Sequence, residues 1–162
     1  MFEPLGKFKR VLVTGPHRSG TTIAMRMIAA DLGYLPVDEE EFKWRFIRRI
    51  PEVWKPGTVL QAPNAFPWLP ILAGDGDAVV VMRRPLADIA GSVSRQRDPK
   101  GHKVTAPVYT AEQGYVLWDL VKNLEPWQRF KWFEVEYEAL VEHPLWVPRG
   151  ERENWHHKTW RN

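Results

Sequence analysis

Residues 10–33 leave the chain few ways to fold. Arg10-Val11-Leu12-Val13-Thr14 is a short apolar run that reads as a buried strand, and Gly15-Pro16 follows it at once as a turn signal. After Gly20, the segment Thr21-Thr22-Ile23-Ala24-Met25-Arg26-Met27-Ile28-Ala29-Ala30-Asp31-Leu32 has helical propensity, with Ile23, Met27 and Ala30 on one stripe. Gly33 is placed to stop it. Strand, glycine loop and helix form one unit.

A second such unit follows. Ala78-Val79-Val80-Val81-Met82 is a continuous apolar run of the kind buried on both faces in a parallel sheet. Pro85 then opens a helix whose Leu86, Ile89, Ala90 and Val93 recur at helical spacing. Thr58-Val59-Leu60 is a further strand, and residues 38–54 read as a short surface helix. Residues 95–109 are polar and form a long loop of the lid type. A helix over about Ala111–Leu124 presents Leu117, Leu120, Val121 and Leu124 on one face, and a last strand runs from Phe130 to Val135. Alternating strands and helices predict an α/β fold of three layers, a parallel sheet flanked by helices. At 162 residues the chain is one domain, taken as residues 1–147, with a basic, aromatic arm over 148–162.

Composition narrows the chemistry. With no cysteine there is no disulfide framework and no thiolate metal site. No run approaches the roughly 18–20 apolar residues of a membrane span, and residues 1–10 lack an apolar signal core, so a cytoplasmic protein without a membrane partner is expected. A net charge of +3 does not announce a nucleic-acid binder but suits an anionic ligand. His156-His157 in the arm are too few ligands for a metal, and none is expected.

Gly15-Pro16-His17-Arg18-Ser19-Gly20-Thr21-Thr22 has the context of a phosphate cradle, because successive backbone N–H groups and a helix N-terminus supply partial positive charge there. Against the pattern G-x-x-x-x-G-K-[ST], Thr21 stands where the lysine belongs and Arg18 puts the charge inside the loop. A nucleoside-triphosphate enzyme also wants a carboxylate at a neighbouring strand end. Here the strand ending at Met82 runs into Arg83-Arg84-Pro85, with Ser92 about two helical turns on, a set suited to a second anionic group.

These residues resemble the motifs of sulfotransferases that use 3′-phosphoadenosine 5′-phosphosulfate (PAPS), a branch of the P-loop fold. The 5′-phosphosulfate loop of that family reads roughly P-[KR]-S-G-T-T, similar to Pro16 followed by His17-Arg18-Ser19-Gly20-Thr21-Thr22. Its 3′-phosphate motif, an arginine at a strand end and then a proline-started helix with a serine, looks like Met82 to Ser92, with either Arg83 or Arg84 as the arginine. Tyr137-Glu138-Ala139-Leu140 is similar to a Y-E-x-L segment of the family. Two positions depart from it. Gln61-Ala62-Pro63 stands where many relatives have K-x-P, and the C-terminal region is abbreviated.

The resemblance implies in-line, metal-independent transfer of a sulfuryl group from PAPS to a hydroxyl or amine of a small-molecule, glycan or peptide acceptor, with 3′-phosphoadenosine 5′-phosphate (PAP) as product. It further implies His17 to Thr22 and Arg83 or Arg84 with Ser92 as nucleotide ligands, with Arg18 also serving catalysis. Glu39 or Glu40 would be the general base and His102 the reserve candidate. Two alternatives remain open from sequence, a P-loop kinase or NTPase and a non-catalytic nucleotide-binding domain.

Overall fold

A computed structural model describes residues 1–39, 50–95 and 109–147. Five parallel strands form one sheet in the order β2-β3-β1-β4-β5, with β1 at Arg10–Thr14, β2 at Leu35–Val37, β3 at Thr58–Gln61, β4 at Asp77–Arg83 and β5 at Lys131–Glu136. The helices are α1 (Thr21–Leu32), α2 (Ile50–Val53), α3 (Leu69–Leu72), α4 (Leu86–Ser94) and α5 (Tyr109–Val121). The expected α/β architecture is thus observed.

Strand alternation divides the apolar side chains between two cores. Val11, Val13, Val59, Ala78, Val80 and Met82 point to one face and pack with Phe2, Leu5, Phe8 and the buried side of α1. Their neighbours Leu12, Leu60, Val79 and Val81 point to the other face, against Trp54, Phe66, Leu69, Trp118 and Phe130. Both faces of β1 and β4 are therefore covered, which is why these strands read as unbroken apolar runs.

The chain leaves β1 toward the α1 face and leaves β3 toward the opposite face, where Phe66 and Leu69 pack. Diverging connections at adjacent strands open a crevice at their carboxyl ends, the usual ligand position in an open parallel sheet. At the other end of the strands Arg10 clamps β1 to β4 through Asp77, with Nε and a terminal nitrogen donating to its two oxygens at 2.8 and 2.6 Å.

Four sequence expectations change. β2, a three-residue strand containing Pro36, was not foreseen; a proline is tolerated there because β2 is an edge strand. Pro85 is the N-cap of α4 rather than its first residue. On α1, Ala29 is buried and Ala30 exposed. On α5 Ala111 and Trp118 are buried, Trp118 being flanked by the half-buried Leu117 and Val121, whereas Leu120 and, beyond the helix, Leu124 are 70% and 50% exposed. Trp118 wins because its ring stacks on Phe66 at 5.7 Å, meets Trp132 edge-on at 5.4 Å, and donates its indole N–H to Glu134 at 2.8 Å. The acidic segment beyond Glu39, the 95–109 loop from residue 96 to 108, and the arm from residue 148 lie outside the described residues. Among the described residues no helix is long and apolar enough to cross a membrane.

Trp118→Ala removes one of the two fully buried tryptophans of the second core and is expected to cost about 3–5 kcal/mol in urea unfolding at 25 °C, with Trp118→Phe losing much less.

Candidate nucleotide site

The loop between β1 and α1 is held in its turn by backbone geometry that few sequences allow. Gly20 takes φ 100° as the N-cap of α1, and a Cβ there would lie 2.4 Å from the Tyr137 ring. Arg18 also adopts a positive φ, 72°. Ser19 N–H closes on Pro16 O at 3.1 Å, and Asn64 N–H donates to Gly15 O at 2.8 Å, tying the loop to the segment after β3. No side chain caps the N-terminus of α1. Its first N–H groups and its positive dipole end therefore meet the crevice, which is the requirement for holding an oxyanion.

A cleft of about 450 Å³ lies at this point, lined by the loop and α1, by Glu39 after β2, by Gln61 and Pro63 at the end of β3, and by Arg84, Ser92 and Tyr137. Arg18 donates through Nε to Ser92 Oγ at 3.1 Å, and Ser92 is 4% exposed. Arg84 donates to the Arg18 carbonyl at 3.0 Å and lays its guanidinium 4.0 Å from the Tyr137 ring centroid. Its Nε is buried without a hydrogen-bond partner, a donor suited to an anion in the cleft. The Tyr115 hydroxyl accepts from Arg84 N–H at 2.9 Å and donates to Met82 O at 3.2 Å. Burial pushes that phenol up to about 12, so it stays protonated and fixes the end of β4. Tyr137 is itself braced edge-on by Trp146 at 5.5 Å.

Of the two arginines, Arg84 lines the cleft. Arg83 belongs to a separate cluster on the far side of β4, bonded to Asp119 and Glu134, with Lys122 3.1 Å from Asp119 and 2.9 Å from Glu134. Burial alone would lower the Arg83 guanidinium, yet these carboxylates raise it. Asp119 is lowered by its bond from Arg83. Glu134, which burial would raise, ends lowered by donors from Arg83, Lys122 and Trp118.

His17, Arg18, Gly20, Thr21 and Thr22 line the cleft, and Ser19 is buried. Glu39 reaches its wall, while Glu40 and His102 lie outside the described residues. Sequence reasoning missed Tyr115, since no local pattern marks a tyrosine on a helix as the brace of a distant strand end. Among the described residues no group of three potential metal ligands occurs.

No protein-family model and no curated protein sequence matches the chain. By structure it is similar to an unliganded sugar kinase from Janibacter sp. HTCC2649, at 15% identity and a TM-score of 0.54, covering 83% of this chain and 93% of that one. It is also similar to shikimate kinase from Acinetobacter baumannii in complex with shikimate, at 14% identity and a TM-score of 0.53, covering 84% of this chain and 87% of that one. The five-stranded parallel sheet flanked by helices is a fold this chain shares with these two kinases. These neighbours carry no information on sulfuryl transfer.

The Arg83 cluster yields a pH prediction. Both carboxyls have folded values below their ordinary 3.8 and 4.5, so their stabilising contribution is complete above that range and is lost as pH falls through the lowered values. Between about pH 5 and about pH 2 the melting temperature of the wild type should fall more steeply than that of an Asp119→Asn/Glu134→Gln variant. Parallel curves would remove the cluster from the acid limb.

Proposed function

We propose that this protein binds PAPS and transfers its sulfuryl group to a hydroxyl or amine. The observation that carries the reading is the convergence of Arg84 and Ser92 on the loop that already offers the N-terminus of α1 to an anion. Two neighbouring cationic subsites suit a nucleotide with two separate anionic groups. Thr21 at the loop's lysine position and Arg84 just past the end of β4 fit this better than a magnesium-triphosphate.

PAPS supplies an activated sulfuryl group. In this reading the backbone N–H groups of Arg18 to Thr22 hold its 5′-phosphosulfate end, and Arg84, with Ser92 oriented by Arg18, holds its 3′-phosphate. The unpartnered Arg84 Nε fits such a ligand. Glu39, at the cleft wall, accepts the proton of the acceptor hydroxyl or amine, and Arg18 offsets negative charge that develops near the loop. The acceptor enters past Glu39 and Pro63.

A second reading, phosphoryl transfer by a kinase-like enzyme, is favoured by the sugar kinase and shikimate kinase likeness. Titration calorimetry with PAP, AMP and ATP, with and without magnesium, separates the two. PAP should bind without magnesium at least about tenfold more tightly than AMP, and Arg84→Ala or Ser92→Ala should remove that preference while Arg83→Ala leaves it intact. Magnesium-dependent ATP binding tighter than PAP would favour the kinase-like alternative, whereas equal affinity for PAP and AMP would exclude the 3′-phosphate assignment to Arg84 and Ser92.

A further inference from the structure

One buried group in the cleft has no role in the scheme above. Gln61 ends β3 with its side chain only 3% exposed, and it lines the cleft beside the loop. Its Nε2 donates to Thr21 Oγ1 at 3.3 Å, while Oε1 is buried without a hydrogen-bond partner. An unpaired buried carbonyl is costly, and a lone acceptor near the N-terminus of α1 opposes the anion that the same helix end attracts. A half-turn of the carboxamide removes the repulsion and replaces the unpaired acceptor with a donor that an anion in the cleft can satisfy. Oε1 then accepts the Thr21 O–H, and the NH2 group turns its protons into the cleft.

We propose that Gln61 is a specificity-determining residue of the anion site. Anchored on Thr21, its neutral carboxamide donates to the terminal oxyanion of the nucleotide and selects a terminal sulfuryl group over a terminal phosphoryl group. The physical basis is charge. A terminal sulfuryl group carries one negative charge, whereas a terminal phosphoryl group carries close to two at neutral pH. A lysine at either position would reward the second charge with a charge-assisted bond roughly twice as strong as a neutral one. With the Thr21 hydroxyl engaged by Gln61, the terminal group meets the neutral carboxamide NH2 and the backbone N–H of Thr21 rather than a cation at these two positions, so the extra charge of a phosphoryl group goes uncompensated by them. This inference rests on the reading of the loop as a nucleotide anion site and extends it to the identity of the terminal group.

Adenosine 5′-phosphosulfate and ADP are near-isosteric probes that differ in that terminal charge. In titration calorimetry on the full chain without magnesium, the wild type should bind the phosphosulfate about tenfold or more tightly than ADP. Gln61→Met, similar in length but without the carboxamide, should lose about tenfold in phosphosulfate affinity, and Gln61→Lys should shift the preference toward ADP by about as much. Thermal melts establish that each variant is folded. If the lysine variant is not, the wild-type preference and the methionine variant decide the matter. Equal or tighter binding of ADP by the wild type, no binding of either probe, or a Gln61→Met variant that binds both as before would overturn the proposal. The PAP-to-AMP comparison is independent: its failure with the phosphosulfate preference intact removes the Arg84 subsite but leaves the role of Gln61.

Discussion

At the carboxyl end of β1 the backbone must reverse direction in a few residues and deliver the first turn of α1 pointing back over the sheet. The turn uses positive φ at Arg18 and Gly20, and at Gly20 the Tyr137 ring leaves no room for a side chain. Much of the neighbouring structure serves to hold this turn. Asn64 and the Thr14 hydroxyl, which accepts from Ala65 N–H at 3.2 Å, bind the post-β3 segment to it from one side. Tyr137 closes it from the other, carried by a 3-10 helix over Tyr137–Glu142 that continues directly from β5. His143, just past that helix, lies 3.0 Å from Asp31 on α1, so the helix that begins at the loop also anchors the segment that covers it.

The electrostatics of the crevice follow from strand alternation. Arg83 and Arg84 are adjacent in sequence, but consecutive side chains of a strand leave in opposite directions. One joins a carboxylate cluster with Asp119 and Glu134, and the other enters the cleft beside Tyr137. The same cationic dipeptide thus supplies a structural ion cluster on one side and a candidate ligand group on the other. The Tyr115 hydroxyl bridges Met82 and Arg84 across the point where the two part.

Much of the fold was legible because its strongest signals are local. The apolar runs of β1 and β4 are long enough to mark strands buried on both faces, and Gly33 stops α1 where expected, at φ 65°. Elements whose form depends on distant partners were less legible. β2 is three residues with a proline, too short for any periodic signal. The buried face of α5 was read one position away because Leu117, Leu120, Val121 and Leu124 make an apolar stripe, yet Trp118 buries more surface against Phe66 and Trp132. In the site, the loop residues and Ser92 could be named from spacing, whereas Tyr115 carried no local mark.

The chain's local order determined that a strand, a tight glycine turn and a helix N-terminus would meet, because those conformations depend on the residues of the turn itself, and with them came an uncapped helix end at the cleft. Tertiary structure alone decided which arginine faces that place and what stands opposite it. Those outcomes depend on strand register, on the ring of Tyr137 and on a glutamine brought from β3 to within hydrogen-bonding distance of Thr21. Such contacts join residues distant in sequence, so no local pattern could encode them.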